Sequence, residues 1–308
     1  MGIWQPDPEE TLLARAPITF ATGEATRVRG MRWFRDTARN DIQHELEGWP
    51  PGPTYTARSS GDTATRNILG GAVVAAGAAI MGFLSLHGGN IGGTPASSAG
   101  TDTPEDPADE VDDFPVMWAA PGTVARTLPW QLDPARSPTK HYRTHAVVTD
   151  RRIVIVGFPY VKGADDFIDD EFLWEADRTL IERVELRNFR FGHDVKISFT
   201  DGSWCRVSSV SGASRERLTR YLIEPLDFIP LESLTPPQRR TAESFAAAQA
   251  PDAQAPLVKR NPCGCFRIEV LAPSTTHATF GHGGLNAVMD ASGTELKLSD
   301  YHPQDFLT

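Results

Sequence analysis

Residues 144–157 read THAVVTDRRIVIVG, a strand-like run, a polar turn and then an unbroken apolar run. The longer segment HYRTHAVVTD (141–150) alternates apolar and polar residues toward its end, the pattern of a strand with one buried face. RRIVIVG (151–157) sets Ile153, Val154, Ile155 and Val156 side by side. A run of β-branched residues suits a strand covered on both faces. The TDRR turn between them makes the pair a hairpin, and a hairpin needs further strands to bury its apolar side.

Those strands follow downstream. FLWE (172–175), LIERVEL (180–186) and DVKISF (194–199) each read as a strand. Leu180, Val184 and Leu186 share one face of the second, and Val195, Ile197 and Phe199 one face of the third. Thr200-Asp201-Gly202-Ser203 is a turn with the Asp-Gly hairpin signal, leading into WCRVSSV (204–210). Upstream, Thr123–Leu128 supplies an expected first strand. A helix begins near Ser214, its N-cap, and ends at Pro225, with Leu218, Tyr221 and Leu222 inward and Arg215, Glu216 and Arg220 outward. The fold class is therefore α+β, mainly β: a seven-stranded partly open barrel capped by a C-terminal helix, over residues 118–232.

THAVVTDRRIVIVG, the LIERVE strand and VKISFTDGSWCRVSS together resemble the bacterial PH-like (pleckstrin-homology and GRAM-type) domains. The resemblance covers about 110 residues. It implies an interaction or assembly module more strongly than a lipid reader. Lipid-binding relatives place basic residues in the first inter-strand loop. The corresponding segment here, PWQLDPARSPTKHYR, offers Arg136, Lys140, His141 and Arg143 for phosphate contact, with Asp133 the lone acid. It lacks a tight basic-x-basic pair. Arg151 and Arg152 read as solvent-facing turn residues.

Other clusters read as structural. Asp165, Asp166, Asp169, Asp170 and Glu171 are dense enough in oxygen to suggest Ca²⁺, but no EF-hand spacing or glycine accompanies them, and a solvated loop is expected. Cys263 and Cys265 with His277 and His282 are the only set resembling zinc ligands, and CxC is not the usual spacing. No metal or other cofactor is expected. Cys205 has no nearby His and acid pair to activate it. GxSxG, HExxH and P-loop patterns are absent, so the chain is read as non-catalytic.

The other decisive segment is ILGGAVVAAGAAIMGFLSL, Ile68–Leu86, nineteen residues without a charge. As a helix it reaches roughly 28 Å, close to the hydrocarbon thickness of a bilayer. It is read as a single-pass transmembrane helix in a bacterial cell membrane. Gly71, Ala75 and Ala79 repeat at the spacing that lets such helices self-associate. Before it lie a small N-terminal region (1–57) and a polar juxtamembrane segment (58–67). In the former, Leu12, Leu13, Ile18 and Phe20 suggest a short strand pair broken by Pro17, and ARNDIQHELEGW (38–49) a short helix. No leader is expected, because Met1–Glu10 is polar and lacks a basic start. Arg58 and Arg66 favour an N-terminus-in orientation.

After it, residues 87–117 form an acidic linker too poor in apolar residues to bury a core. A helix and linker (233–260) and a C-terminal β segment (261–308) complete the chain, with a strand at Phe266–Leu271 and a hairpin turning at Ala291-Ser292-Gly293. The net charge of -10 argues against nucleic acid as a partner. The expected role is a membrane-anchored scaffold that recruits a protein partner or its own copies. Anionic-lipid binding by the basic loop is the alternative.

Overall fold

The computed structural model describes residues 2–21, 34–51, 116–139, 141–160, 169–189, 192–209, 212–249, 254–271 and 285–302. It is mainly β. The strands are β1 (Leu12–Phe20), β2 (Phe34–Arg35), β3 (Met117–Trp118), β4 (Tyr142–Thr149), β5 (Arg152–Pro159), β6 (Glu171–Asp177), β7 (Ile181–Phe189), β8 (Gly192–Phe199) and β9 (Trp204–Ser209). Helix α1 (Gly212–Ile223) follows. Then come α2 (Pro236–Gln249), β10 (Leu257–Arg260), β11 (Phe266–Val270) and β12 (Leu285–Met289).

The seven long strands curl into a half-barrel in the order β6-β5-β4-β1-β9-β8-β7, compatible with a PH-like fold. Six of them fall where the sequence pattern puts them. The seventh does not. Thr123–Leu128 is no strand, because Val124–Thr127 forms a 3-10 turn. The Val124 and Ala125 amides are taken by Asp201 Oδ2 (2.6 Å) and Ser203 Oγ (3.1 Å) of the Asp-Gly turn, which curls the backbone.

The missing strand is β1, so the sheet draws on residues 12–20 as well as on those after 118. Instead of a strand pair broken at Pro17, one continuous strand lies in the middle of the sheet. It pairs with β4 from Leu12↔Thr149 to Pro17↔His145, then with β9 from Ile18↔Ser209 to Phe20↔Val207. Pro17 sits where the strand changes partner. A residue without an N–H is tolerated at such a corner, which joins the two halves of the curl.

Leu13, Ile18 and Phe20 of β1 pack in the core with Ile155, Val195, Phe199 and, from α1, Leu218 and Tyr221. The 153–156 run is buried on both faces, Ile153 and Ile155 inward, Val154 and Val156 outward beneath Trp4 and Leu12.

The expected helix over 38–49 is also absent. Asp36 Oδ1 accepts from the amides of Ala38 and Asn40, both at 2.8 Å, and Arg39 adopts φ 68°. A carboxylate that captures nearby amides competes with helical bonding. Ile42 and Leu46 still reach the core, from turns.

The C-terminal part is a three-stranded sheet, β10-β11-β12, with α2 against one face. The Phe266–Leu271 strand and the turn at Ala291–Gly293 occur as the sequence indicates. Strand β10 falls where a linker was expected.

Three links gather the ends of the long connection after β1. Ala21 N donates to Arg206 O (3.0 Å), and Arg206 N donates to Val116 O (2.7 Å). Strands β2 and β3 pair in parallel, Phe34 with Met117 and Arg35 with Trp118. Among the described residues no helix is long and apolar enough to cross a membrane. Ile68–Leu86, with Gly71, Ala75 and Ala79, lies outside the described residues.

Candidate functional site

The basic loop is not assembled as a phosphate cradle by all four of its expected residues. Arg136 turns inward: its guanidinium donates to Pro50 O and Gln43 O, both at 3.0 Å, and lies 4.7 Å from the Trp49 ring centroid. Its neighbour Asp133 is wholly buried and stands 3.6 Å from its Nε. The Arg143 guanidinium stacks 3.6 Å over Tyr160. His141 is exposed. Lys140 lies outside the described residues.

Of the TDRR arginines, Arg151 faces solvent as expected, whereas Arg152 is tied down by ion pairs. Arg152 meets Asp7, Glu10 and Glu175 at 2.7–2.9 Å, and Arg151 approaches Glu9 at 3.4 Å. Hydrogen bonding to Glu10 above all raises the Arg152 pKa. The N-terminal acids therefore clamp the hairpin.

The acidic loop is divided. Asp165 and Asp166 lie outside the described residues. Asp170 is buried and takes both terminal nitrogens of Arg15, at 2.6 and 2.8 Å, plus the Trp4 amide at 2.6 Å. Arg15 Nε donates to His145 Nδ1 at 3.2 Å, which leaves that nitrogen the acceptor. Glu171 accepts from the Tyr142 hydroxyl at 2.7 Å. Tyr142 in turn lies across Gly157, where an added Cβ would collide with its hydroxyl oxygen and ring carbons.

Among the described residues no group of three or more His, Cys, Asp or Glu side chains is placed to hold a metal. His277 and His282 lie outside them. None of the three cysteines is in a disulfide. Burial pushes the Cys205 thiol up to about 12, which suppresses the nucleophilic thiolate.

The densest polar constellation is one the sequence hid. Glu269 on β11 is held by Arg217 Nη1 (2.8 Å), Arg220 Nη1 (3.0 Å) and Arg267 Nε (2.9 Å), and accepts from the Tyr221 hydroxyl at 2.6 Å. Arg217 Nε also donates to Leu13 O at 2.9 Å. Burial alone would raise the Glu269 pKa, but Arg217, Tyr221, Arg267 and Arg220 outweigh it and hold the carboxyl below its usual value. This junction ties β1, α1 and the C-terminal sheet together. Arg220, placed outside by the helical pattern, is in fact turned toward Glu269. FRIEV alternates charge and apolar residue like a solvent-facing strand, so nothing local distinguished a buried carboxylate from an exposed one.

Two features face outward. One is an open groove of about 480 Å³ lined by Arg240, Thr241, Ser244, Ser292, Thr294 and Glu295. Its hydroxyls are largely engaged: Thr241 donates to Gly293 O, and Ser292 to Asp290 at 2.7 Å. The other is the pair of outer strands. Among the described residues β6 pairs only with β5, and β7 only with β8. Phe172 on β6 and Leu186 on β7 are 52% and 47% exposed, unusual for large apolar side chains on strands. Glu171, Glu175 and Asp177 make β6 acidic, whereas β7 mixes Glu182 and Glu185 with Arg183 and Arg187, Arg183 pairing with Glu185 at 3.0 Å. Such charges discourage indiscriminate strand pairing.

No protein-family model, no curated protein and no solved structure matches the chain.

Proposed function

We propose that the protein is a non-catalytic interaction module of PH-like type, attached to a membrane through Ile68–Leu86. Its half-barrel recruits a protein partner, or a second copy, along an open strand edge. The observation that carries this reading is the pair of outer strands, each with one large exposed apolar side chain among charged residues, acidic on β6 and of both signs on β7. Main-chain groups on such an edge supply affinity and the neighbouring side chains selectivity. Attachment raises the local concentration of the module and so strengthens weak contacts.

The test is proximity cross-linking of the membrane-bound chain with F172E and L186E variants. Both positions are already exposed, so thermal stability should move by less than about 0.5 kcal/mol. Specific cross-linked species should be lost. Retention of every species in the double variant would end the edge reading. Headgroup binding by the 136–143 loop would have to rest on Lys140, His141 and Arg143, since Arg136 is engaged internally. Salt-sensitive sedimentation with anionic vesicles is its signature.

A further inference from the structure

We infer that the chain meets its membrane from one side only, so that the residues before the apolar stretch and those after it share a compartment. The inference rests on the attachment proposed above and adds its geometry. The sheet is continuous across the connection that contains Ile68–Leu86. Strand β1 is bonded along one edge to β4 and along the other to β9. Arg15 pairs with Asp170 inside the protein, and Arg217 donates to Leu13 O. The Ala21–Arg206–Val116 bonds and the β2–β3 pairing join the same two portions. Apart from the Arg206–Val116 bond, which holds the far end of the connection against β9, each of these contacts links a residue before 52 to one after 115.

A single crossing would carry β1 to the opposite side of the bilayer from both its neighbours. Leu13, Ile18 and Phe20, at most 3% exposed, would leave the core. The alternative is a second crossing by the return segment. Residues 87–115 carry seven acids between Asp102 and Asp113, together with Pro104 and Pro107. Acids and prolines at this density are not carried through a bilayer as a helix. The uncharged remainder, residues 87–101, is only fifteen residues of mostly Gly, Ser, Thr and Ala, short of the roughly 17–25 apolar residues a crossing needs. The remaining arrangement is contact that begins and ends on one face. It replaces the N-terminus-in, C-terminus-out orientation that Arg58 and Arg66 suggest.

The experiment uses the full chain with a different epitope tag at each end, in sealed membrane vesicles of both orientations, treated with an impermeant protease. Both tags should be lost together in one orientation and protected together in the other. Loss of one tag with protection of the other would overturn the inference while leaving the attachment standing. A chain that stays in the high-speed supernatant would overturn the attachment, and the inference with it.

A second measurement needs no tag. Ala16 and Ala146 face each other across β1 and β4. An A16C/A146C variant, oxidised in the membrane fraction and then cleaved between residues 52 and 115, should leave its two fragments joined on a non-reducing gel. Separate fragments from a variant that retains wild-type thermal stability would count against same-sidedness.

Discussion

Glu269 shows how much one side chain can organise. Three guanidinium groups and a phenol converge on a carboxylate with 3% side-chain exposure. Replacing it with Gln keeps the shape and removes the charge, leaving buried arginines uncompensated. Glu269→Gln should cost about 3–5 kcal/mol in urea unfolding at neutral pH. Its pH dependence follows from the lowered pKa. The folded carboxyl titrates below its ordinary value of 4.5, so its stabilisation is complete above 4.5 and drains as pH falls through the lower folded value. The gap between wild type and variant should therefore narrow on going from pH 7 to about 3.5. A gap constant over that range would mean that the charge is not what the junction uses. No such role was readable beforehand, because three of the four partners come from α1, about fifty residues earlier in the chain, and the strand holding Glu269 has the pattern of an exposed one.

Among the elements, two glycine turns separate conformational strain from contact. Gly202 (φ 83°) has nothing within 4 Å of an added Cβ, whereas Gly293 (φ 89°) would push one to 2.5 Å from the Gln238 amide at the start of α2. Gly202→Ala should cost about 1 kcal/mol, the conformational term alone. Gly293→Ala adds a backbone clash and should exceed it by about 2 kcal/mol. Equal losses in thermal unfolding would show that the 290–294 turn is not seated on α2.

Elements with strong local patterns were legible: the β4–β5 hairpin, β8, the Asp-Gly turn and α1 lie close to their expected places. Elements whose identity depends on distant partners were not. Pro17 reads as a break until β4 and β9 are seen to divide the strand between them. Thr123–Leu128 reads as a strand until Asp201 and Ser203 are seen to occupy its amides. Of the expected loop residues, Arg136 proved internal because Trp49, Pro50 and Gln43 come from far away in the chain.

For the molecule as a whole, the described contacts anchor both ends of the 52–115 connection, through β2–β3 and the Ala21–Arg206–Val116 bonds. Replacing residues 52–115, 64 in number, with about 15 Gly and Ser residues should preserve the fold. The shorter loop lowers the closure cost by roughly 1 kcal/mol, so the melting temperature should hold or rise slightly. The same variant should no longer sediment with membranes. Unfolding of this variant would show that the excised residues support the barrel. Unchanged sedimentation would place the lipid contact elsewhere.

The central position of β1 also sets a timetable. Phe20 leaves the ribosome long before its partners, since Trp204–Ser209 lies more than 180 residues downstream. At about 5–20 residues per second that is an interval of roughly 10–40 s. The uncharged stretch emerges within it, so a nascent chain presents its greasiest part to the cell while the first strand is still waiting for a place to sit.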